Sequence, residues 1–153
     1  METTLEVNDA SQVAEVRRVA AQLAQAEDMT PVELGRVALV ATELATNLVK
    51  YGKGGTMTLS RFAARGQRGV QLIAVDRGPG FADFAAAARD GHSTTGSLGL
   101  GLGVIQRSSS LIDHYTVVGQ GTALLAQLAH GVSHRASAAA PPASFELAAR
   151  SSP

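Results

Sequence analysis

Glu43 and Asn47 are the first residues whose types and spacing suggest chemistry. They stand four apart in Ala41-Thr42-Glu43-Leu44-Ala45-Thr46-Asn47-Leu48, a spacing that puts both on one face of a helix. A carboxylate and an amide placed together can ligate Mg²⁺ through oxygen, or position a hydroxyl and take its proton. A solvated helix edge carries the same pair, so spacing alone does not decide. A second group is Asp76-Arg77-Gly78-Pro79-Gly80, directly after the apolar run Val70 to Val75. A carboxylate at the end of a buried strand can accept a hydrogen bond from a ligand amine, and Gly78 and Gly80 let a flat ring approach the backbone. The same five residues also suit a simple turn. The third group is Gly96-Ser97-Leu98-Gly99-Leu100-Gly101-Leu102-Gly103. Backbone N–H groups in such a run, leading into a helix, form an anion cradle. No Gly-Lys-Ser/Thr follows, which excludes a Walker A loop. A polar loop rather than a strand precedes it, which excludes a Rossmann turn. The alternating Leu98, Leu100 and Leu102 are out of place in a flexible linker, which is seldom apolar.

The elements that must position these groups can be read along the chain. Thr3 to Val7 alternates as a short strand. Asp9 or Ser11 can cap a helix in which Val13, Val16, Ala20 and Leu23 recur at helical spacing. Thr30-Pro31-Val32-Glu33 is a second helix start, with a capping box and proline at the first helical position. That helix carries Leu34, Val37, Ala41, Leu44 and Leu48 on one face and stops at Gly52-Lys53-Gly54-Gly55. Strands are expected at Thr56 to Phe62 and Val70 to Val75, with a turn near Arg65 to Gly69. A short helix is expected at Phe84 to Arg89, a polar loop at His92 to Gly99, and a helix at Val104 to Ile112. His114 to Val118 and Thr122 to Leu128 read as a hairpin around Gly119-Gln120-Gly121. Strands and helices do not alternate as a doubly wound fold requires. The expected class is α/β, an α+β two-layer sandwich with a mixed sheet and helices on one face.

Composition narrows the function classes. The 153 residues suit one domain. With 13 basic and 13 acidic residues the formal charge is zero, against the basic excess of a nucleic-acid binder. No cysteine is present, which removes disulfides, thiolate nucleophiles and cysteine-based zinc sites. The acidic, polar start does not read as a signal peptide, and no apolar run nears the ~18 residues of a membrane span. The expectation is a cytoplasmic domain over 1–130, with an Ala/Ser/Pro-rich tail or linker over 131–153, where Phe145 to Ala149 could form one turn. His92, His114, His130 and His134 show no ligand spacing. Lys50 and Lys53, the two lysines against eleven arginines, follow Asn47 closely. One could neutralise phosphate, though cations also suit a helix end.

Taken in order, Ala41 to Tyr51, Asp76 to Gly80 and Gly91 to Gly103 resemble the N, G1 and G2 boxes of the GHKL ATP-binding superfamily. Within it the chain is most similar to the anti-sigma-factor serine/threonine kinases, especially the RsbT-like switch kinases, over roughly residues 3 to 130. Each box is weak alone; three in the right order and spacing are specific. The resemblance implies a Bergerat-type ATP-binding fold with ATP and Mg²⁺ as cofactors. It implies that Asn47 holds Mg²⁺ and that Glu43 is the general base toward a substrate serine or threonine. Asp76 would bind the adenine amino group, with Gly78 and Gly80 giving the ring room and Thr122 supporting the adenine side. Gly99, Gly101 and Gly103, with Gly96, Leu98, Leu100 and Leu102, would surround the phosphates, and Ser93 to Leu98 would form a short lid. The implied activity is phosphorylation of a STAS-type antagonist in a sigma-factor or stress-signalling switch. A sigma factor or a PPM-type phosphatase are further implied partners, and a homodimer is compatible with the family. The alternative is a partner-switch module that binds ATP and grips its partner without phosphorylating it.

Overall fold

Two capping boxes start the helices on which the site depends. The Asp9 carboxylate accepts from the backbone N–H groups of Ser11 (2.9 Å) and Gln12 (3.4 Å), and the Gln12 side chain accepts from Asp9 N–H (3.2 Å). This opens α1, Ala10–Ala26. Thr30 and Glu33 repeat the arrangement at 2.8 and 3.2 Å, with Pro31 at the first position of α2, Pro31–Lys50. Both devices satisfy donors that a helix start otherwise leaves orphaned. The structure is a computed structural model describing residues 2–79 and 98–131.

The remaining elements are β1 (Glu2–Val7), β2 (Gly55–Ala64), β3 (Gln67–Asp76), α3 (Leu98–Ser108), β4 (Leu111–Val117) and β5 (Gly121–Ala129). The strands form one sheet in the order β1-β2-β3-β5-β4. The two-layer class is as expected, but the sheet is not mixed: every pairing among the described residues is antiparallel. The reason lies in the connections. A single crossover helix returns the next strand parallel. Here α1 and α2 together insert one extra reversal, so β2 enters antiparallel to β1. Hairpins then fix β2 against β3 and β4 against β5.

The core lies between the helices and one sheet face. Val16, Ala20 and Leu23 of α1 and Val37, Ala41, Leu44 and Leu48 of α2 meet Met57, Leu59, Val70, Leu72, Leu124 and Ala126. With no Trp in the chain, density comes from interleaving large residues with small ones. Ala20, Ala24, Ala41 and Ala45 are wholly buried, which lets the helices approach closely.

At the end of the sheet remote from Asp76, two carboxylates fasten the helices to the strands. Glu27, in the turn between α1 and α2, is buried and pairs with Arg61 at 2.6 Å and Arg68 at 3.4 Å. Glu33 accepts from Gly131 N–H at 2.7 Å and bonds His130 Nδ1 at 2.8 Å. Burial pushes the Glu33 carboxyl up, but the N–H groups of Gly131 and Thr30 and the His130 ring outweigh it and hold its pKa at about 2.

Two boundaries differ from expectation. The third helix runs Leu98–Ser108 rather than 104–112, and β4 begins at Leu111 rather than 114. The glycine run is therefore the opening of a helix and not a loop before one. Buried Leu102 and Ile105 anchor it against the core, and this burial overrides the intrinsic cost of glycine in a helix. The expected helix at Phe84 to Arg89, the loop His92 to Ser97 and the tail beyond Gly131 lie outside the described residues.

Candidate functional site

The site grows from one register row at the end of the sheet. In that row Gly55 pairs with Asp76, Asp76 with Thr122, and Thr122 with Thr116. Strand alternation puts Asp76 on the same face as Ala74 and Leu72, and Thr122 on the same face as Leu124. That face is the one α2 and α3 cover, except at this end. There a cleft opens, lined by Leu44, Asn47, Leu48, Tyr51, Gly52, Ala74, Asp76, Pro79, Leu102, Thr122 and Leu124. Its walls are mainly apolar with a few convergent polar groups, as a small-molecule site requires.

Among the described residues, Asp76 is the charged group in the lining. Burial raises its pKa above the usual 3.8, against the N–H groups of Gly78 and Thr122, which pull it down. Gly78 N–H donates to Oδ1 at 2.7 Å. The hairpin behind is held to the same loop, since Gly119 N–H donates to the Pro79 carbonyl at 2.8 Å. Gly121 has φ 135°, and a side chain there would collide with the Asp76 carbonyl, so glycine is required for this close approach. Thr122 is buried, and its hydroxyl shares a 3.0 Å hydrogen bond with Thr116.

Glu43 and Asn47 stand one turn apart on α2, as the spacing predicts, and the opening of α3 lies directly against them. A methyl group on Gly101 would sit 2.8 Å from Glu43 Oε1 and 3.3 Å from both side-chain amide atoms of Asn47. The glycine therefore lets the start of a helix, with its outward N–H groups, meet a carboxylate and an amide at van der Waals range. Asn47 lines the cleft; Glu43 lies beside it and is not part of the lining.

The structure thus brings together Asn47, Asp76, Leu102 and Thr122 in the cleft wall, with Glu43, Gly78 and Gly101 packed around it. Gly103 is buried in α3 and does not line the cleft. Leu98, Gly99 and Leu100 fall in the first turn of α3, and Gly80 and Gly96 lie outside the described residues. Sequence reasoning did not assign Leu44, Leu48, Tyr51, Gly52, Ala74, Pro79 and Leu124 to the site. Strand alternation would have found Ala74 and Leu124, two residues from Asp76 and Thr122 on the same face.

Comparisons with known proteins identify the family of the chain. Residues 7–128 match the model of the histidine kinase-like ATPase domain. Over 114 residues the chain is 32% identical to serine/threonine-protein kinase RsbT of Bacillus subtilis (strain 168), covering 74% of this chain and 86% of that protein. A chain of the SiaB–SiaC complex from Pseudomonas aeruginosa shares the fold, with a TM-score of 0.59 at 19% identity, over 81% of this chain and 87% of the other. The chain, with its cleft between α2, α3 and the β3–β5 end, belongs to the histidine kinase-like ATPase domain family and is an RsbT-like serine/threonine kinase of the GHKL type.

Proposed function

We propose that this kinase uses Mg-ATP to phosphorylate a serine or threonine of a STAS-type antagonist, switching a sigma-factor or stress-signalling partnership. The observation that carries the reading is the meeting of Glu43, Asn47 and the start of α3 at Gly101, at the border of a cleft whose other wall holds Asp76. In this reading the Asp76 carboxylate accepts from the adenine amino group. Gly78 N–H keeps the carboxylate in place, and the apolar walls formed by Leu48, Ala74 and Leu124 take the ring faces. The N–H groups at the start of α3 face the phosphates.

Asn47 fits Mg²⁺, because its amide oxygen is a hard neutral ligand at the wall of the cleft. Bound there, the ion would offset phosphate charge. Glu43 takes the proton of the attacking hydroxyl while that oxygen bonds the γ-phosphorus and the bond to the β–γ bridging oxygen breaks, releasing ADP. Phosphoryl transfer rests mainly on positioning and charge neutralisation, so a site this small suffices.

The test is transfer of labelled γ-phosphate to a STAS partner by wild type and by Glu43→Ala. The reading requires transfer by wild type and its loss in the variant, with nucleotide binding kept in both. A wild-type protein that binds its partner and ATP but transfers no label would establish the non-phosphorylating binding module instead.

A further inference from the structure

Gly52 follows the C-cap of α2, where the sequence reads it only as a helix stop, and its N–H donates to the Asn47 carbonyl at 3.1 Å. Its backbone is not in the left-handed region, unlike that of Gly54 two residues on, so torsion does not demand glycine here. What demands it is contact. A methyl group on Gly52 would lie 2.7 Å from Asp76 Cβ, 2.9 Å from Cγ and 3.1 Å from Oδ2. These are its three nearest atoms outside the adjoining chain, and all belong to one side chain. Asp76 Cβ is fixed by β3, paired on both sides to Gly55 and Thr122, so the contact with Cβ is relieved by a shift of the turn that carries Gly52, and those with Cγ and Oδ2 by a turn of the carboxylate.

The carboxylate has little room to turn without losing a bond. Oδ1 already accepts from Gly78 N–H at 2.7 Å. Gly78 is itself pressed against the same turn: a methyl there would lie 2.7 Å from the Tyr51 carbonyl and 2.9 Å from Gly52 Cα. Gly52, Gly78 and the Asp76 side chain thus share one closely packed layer at the cleft wall. Volume added at Gly52 enters on the side of Oδ2, the oxygen that Gly78 does not hold.

We propose that Gly52 is a positioning residue that sets the orientation of the Asp76 carboxylate and thereby the selectivity of the cleft for a base carrying an exocyclic amine. The inference rests on the nucleotide reading above and deepens it. Gly52 touches no nucleotide atom in this account; it acts through Asp76. The same turn ties Asp76 to Asn47, since the N–H groups of Tyr51 and Gly52 both donate to the Asn47 carbonyl, at 2.9 and 3.1 Å.

The test compares ATP with purine riboside triphosphate, which lacks the 6-amino group, by calorimetric titration of wild type, Gly52→Ala, Gly35→Ala, Asp76→Gly and the double variant Gly52→Ala/Asp76→Gly. Gly35 is the control, because a methyl there meets nothing within 4 Å. Gly52→Ala should weaken ATP by about tenfold or more, the scale of one disturbed hydrogen bond to a charged group. Its affinity for purine riboside triphosphate should stay within about twofold of wild type, so that the preference for the amine falls. In the Asp76→Gly background the Gly52 change should add nothing, as a shared pathway requires.

Equal weakening of both nucleotides, an unchanged preference, or full additivity would overturn the proposal. If Gly52→Ala does not fold, recovery of a folded protein by the added Asp76→Gly supports the contact, and failure to recover overturns it. A wild type that binds ATP without preferring the amine removes the role of Asp76, and with it that of Gly52. A wild type that binds neither nucleotide refutes the nucleotide reading itself.

Discussion

Two carboxylates at opposite ends of the β3–β5 pair are both pushed up by burial, yet their pKa values end on opposite sides of the ordinary range. Glu33 accepts from Thr30 N–H, Gly131 N–H and the His130 ring, and its pKa falls to about 2 although burial pushes it up. Asp76 meets the N–H groups of Gly78 and Thr122, and there burial prevails, so its pKa rises. Donor supply and depth together separate them. The chain itself satisfies Glu33, which works as a clasp holding the start of α2 to the end of β5. Among the described residues Asp76 meets two backbone donors at a cleft wall, and in the proposed function a ligand supplies the next. Glu27, with two arginines, belongs with Glu33; Glu43, beside the opening of α3, belongs with Asp76.

If that division holds, substitutions in the first pair should change stability and those in the second should change activity. The largest effect is expected for Glu43→Ala: phosphoryl transfer should fall by about 10²–10⁴-fold, the usual contribution of a general base. Its thermal midpoint and nucleotide affinity should stay near wild type. Glu27→Gln should instead lower stability by about 2–3 kcal/mol in denaturant unfolding, less than the loss of a fully buried pair because Arg61 and Arg68 are half exposed.

Glu33→Gln should cost about 1–2 kcal/mol at neutral pH, since an amide keeps one accepting oxygen and loses the charge. Its pH dependence gives a sharper check. A carboxylate whose pKa drops from 4.5 to about 2 on folding stabilises fully above pH 4.5 and loses that contribution as pH falls toward 2. The difference in melting temperature between wild type and Glu33→Gln should therefore be constant above pH 4.5 and shrink below it; a difference that grows on acidification would refute the clasp. The smallest effect is expected for Arg18→Ala, which removes an exposed 3.9 Å pair with Glu15 and should move stability by less than about 0.5 kcal/mol.

The residues that carry the site were legible because their signals are local. The Thr30/Glu33 capping box starts α2 as read, and the four-residue spacing of Glu43 and Asn47 puts both on the face that meets α3. Asp76 closes a strand, and Gly119 to Gly121 turns a hairpin. Signals that depend on distant partners were not legible. Glu33 looked like a cap alone, because His130 and Gly131 stand 97 and 98 positions away. Gly52 looked like a helix stop, because its neighbour is a side chain on another strand. The glycines after Ser97 looked like loop, because the burial of Leu102 and Ile105 that makes them helix is a tertiary effect. The antiparallel sheet follows from the paired crossover helices, whose packing direction no local pattern states.

In the proposed function, recognition of the ligand's amine rests on Asp76. Because folding raises its pKa, ionising it works against the folded state as pH climbs through 3.8. A neutral amide removes that cost while its oxygen still accepts from Gly78. The direct measurement is Mg-ATP titration by calorimetry of wild type and Asp76→Asn, with the melting temperature of each ligand-free protein. The account predicts binding by wild type, loss of binding by at least about tenfold in Asp76→Asn, and a ligand-free melting temperature unchanged or higher in the variant. Equal affinity in the two proteins would contradict it.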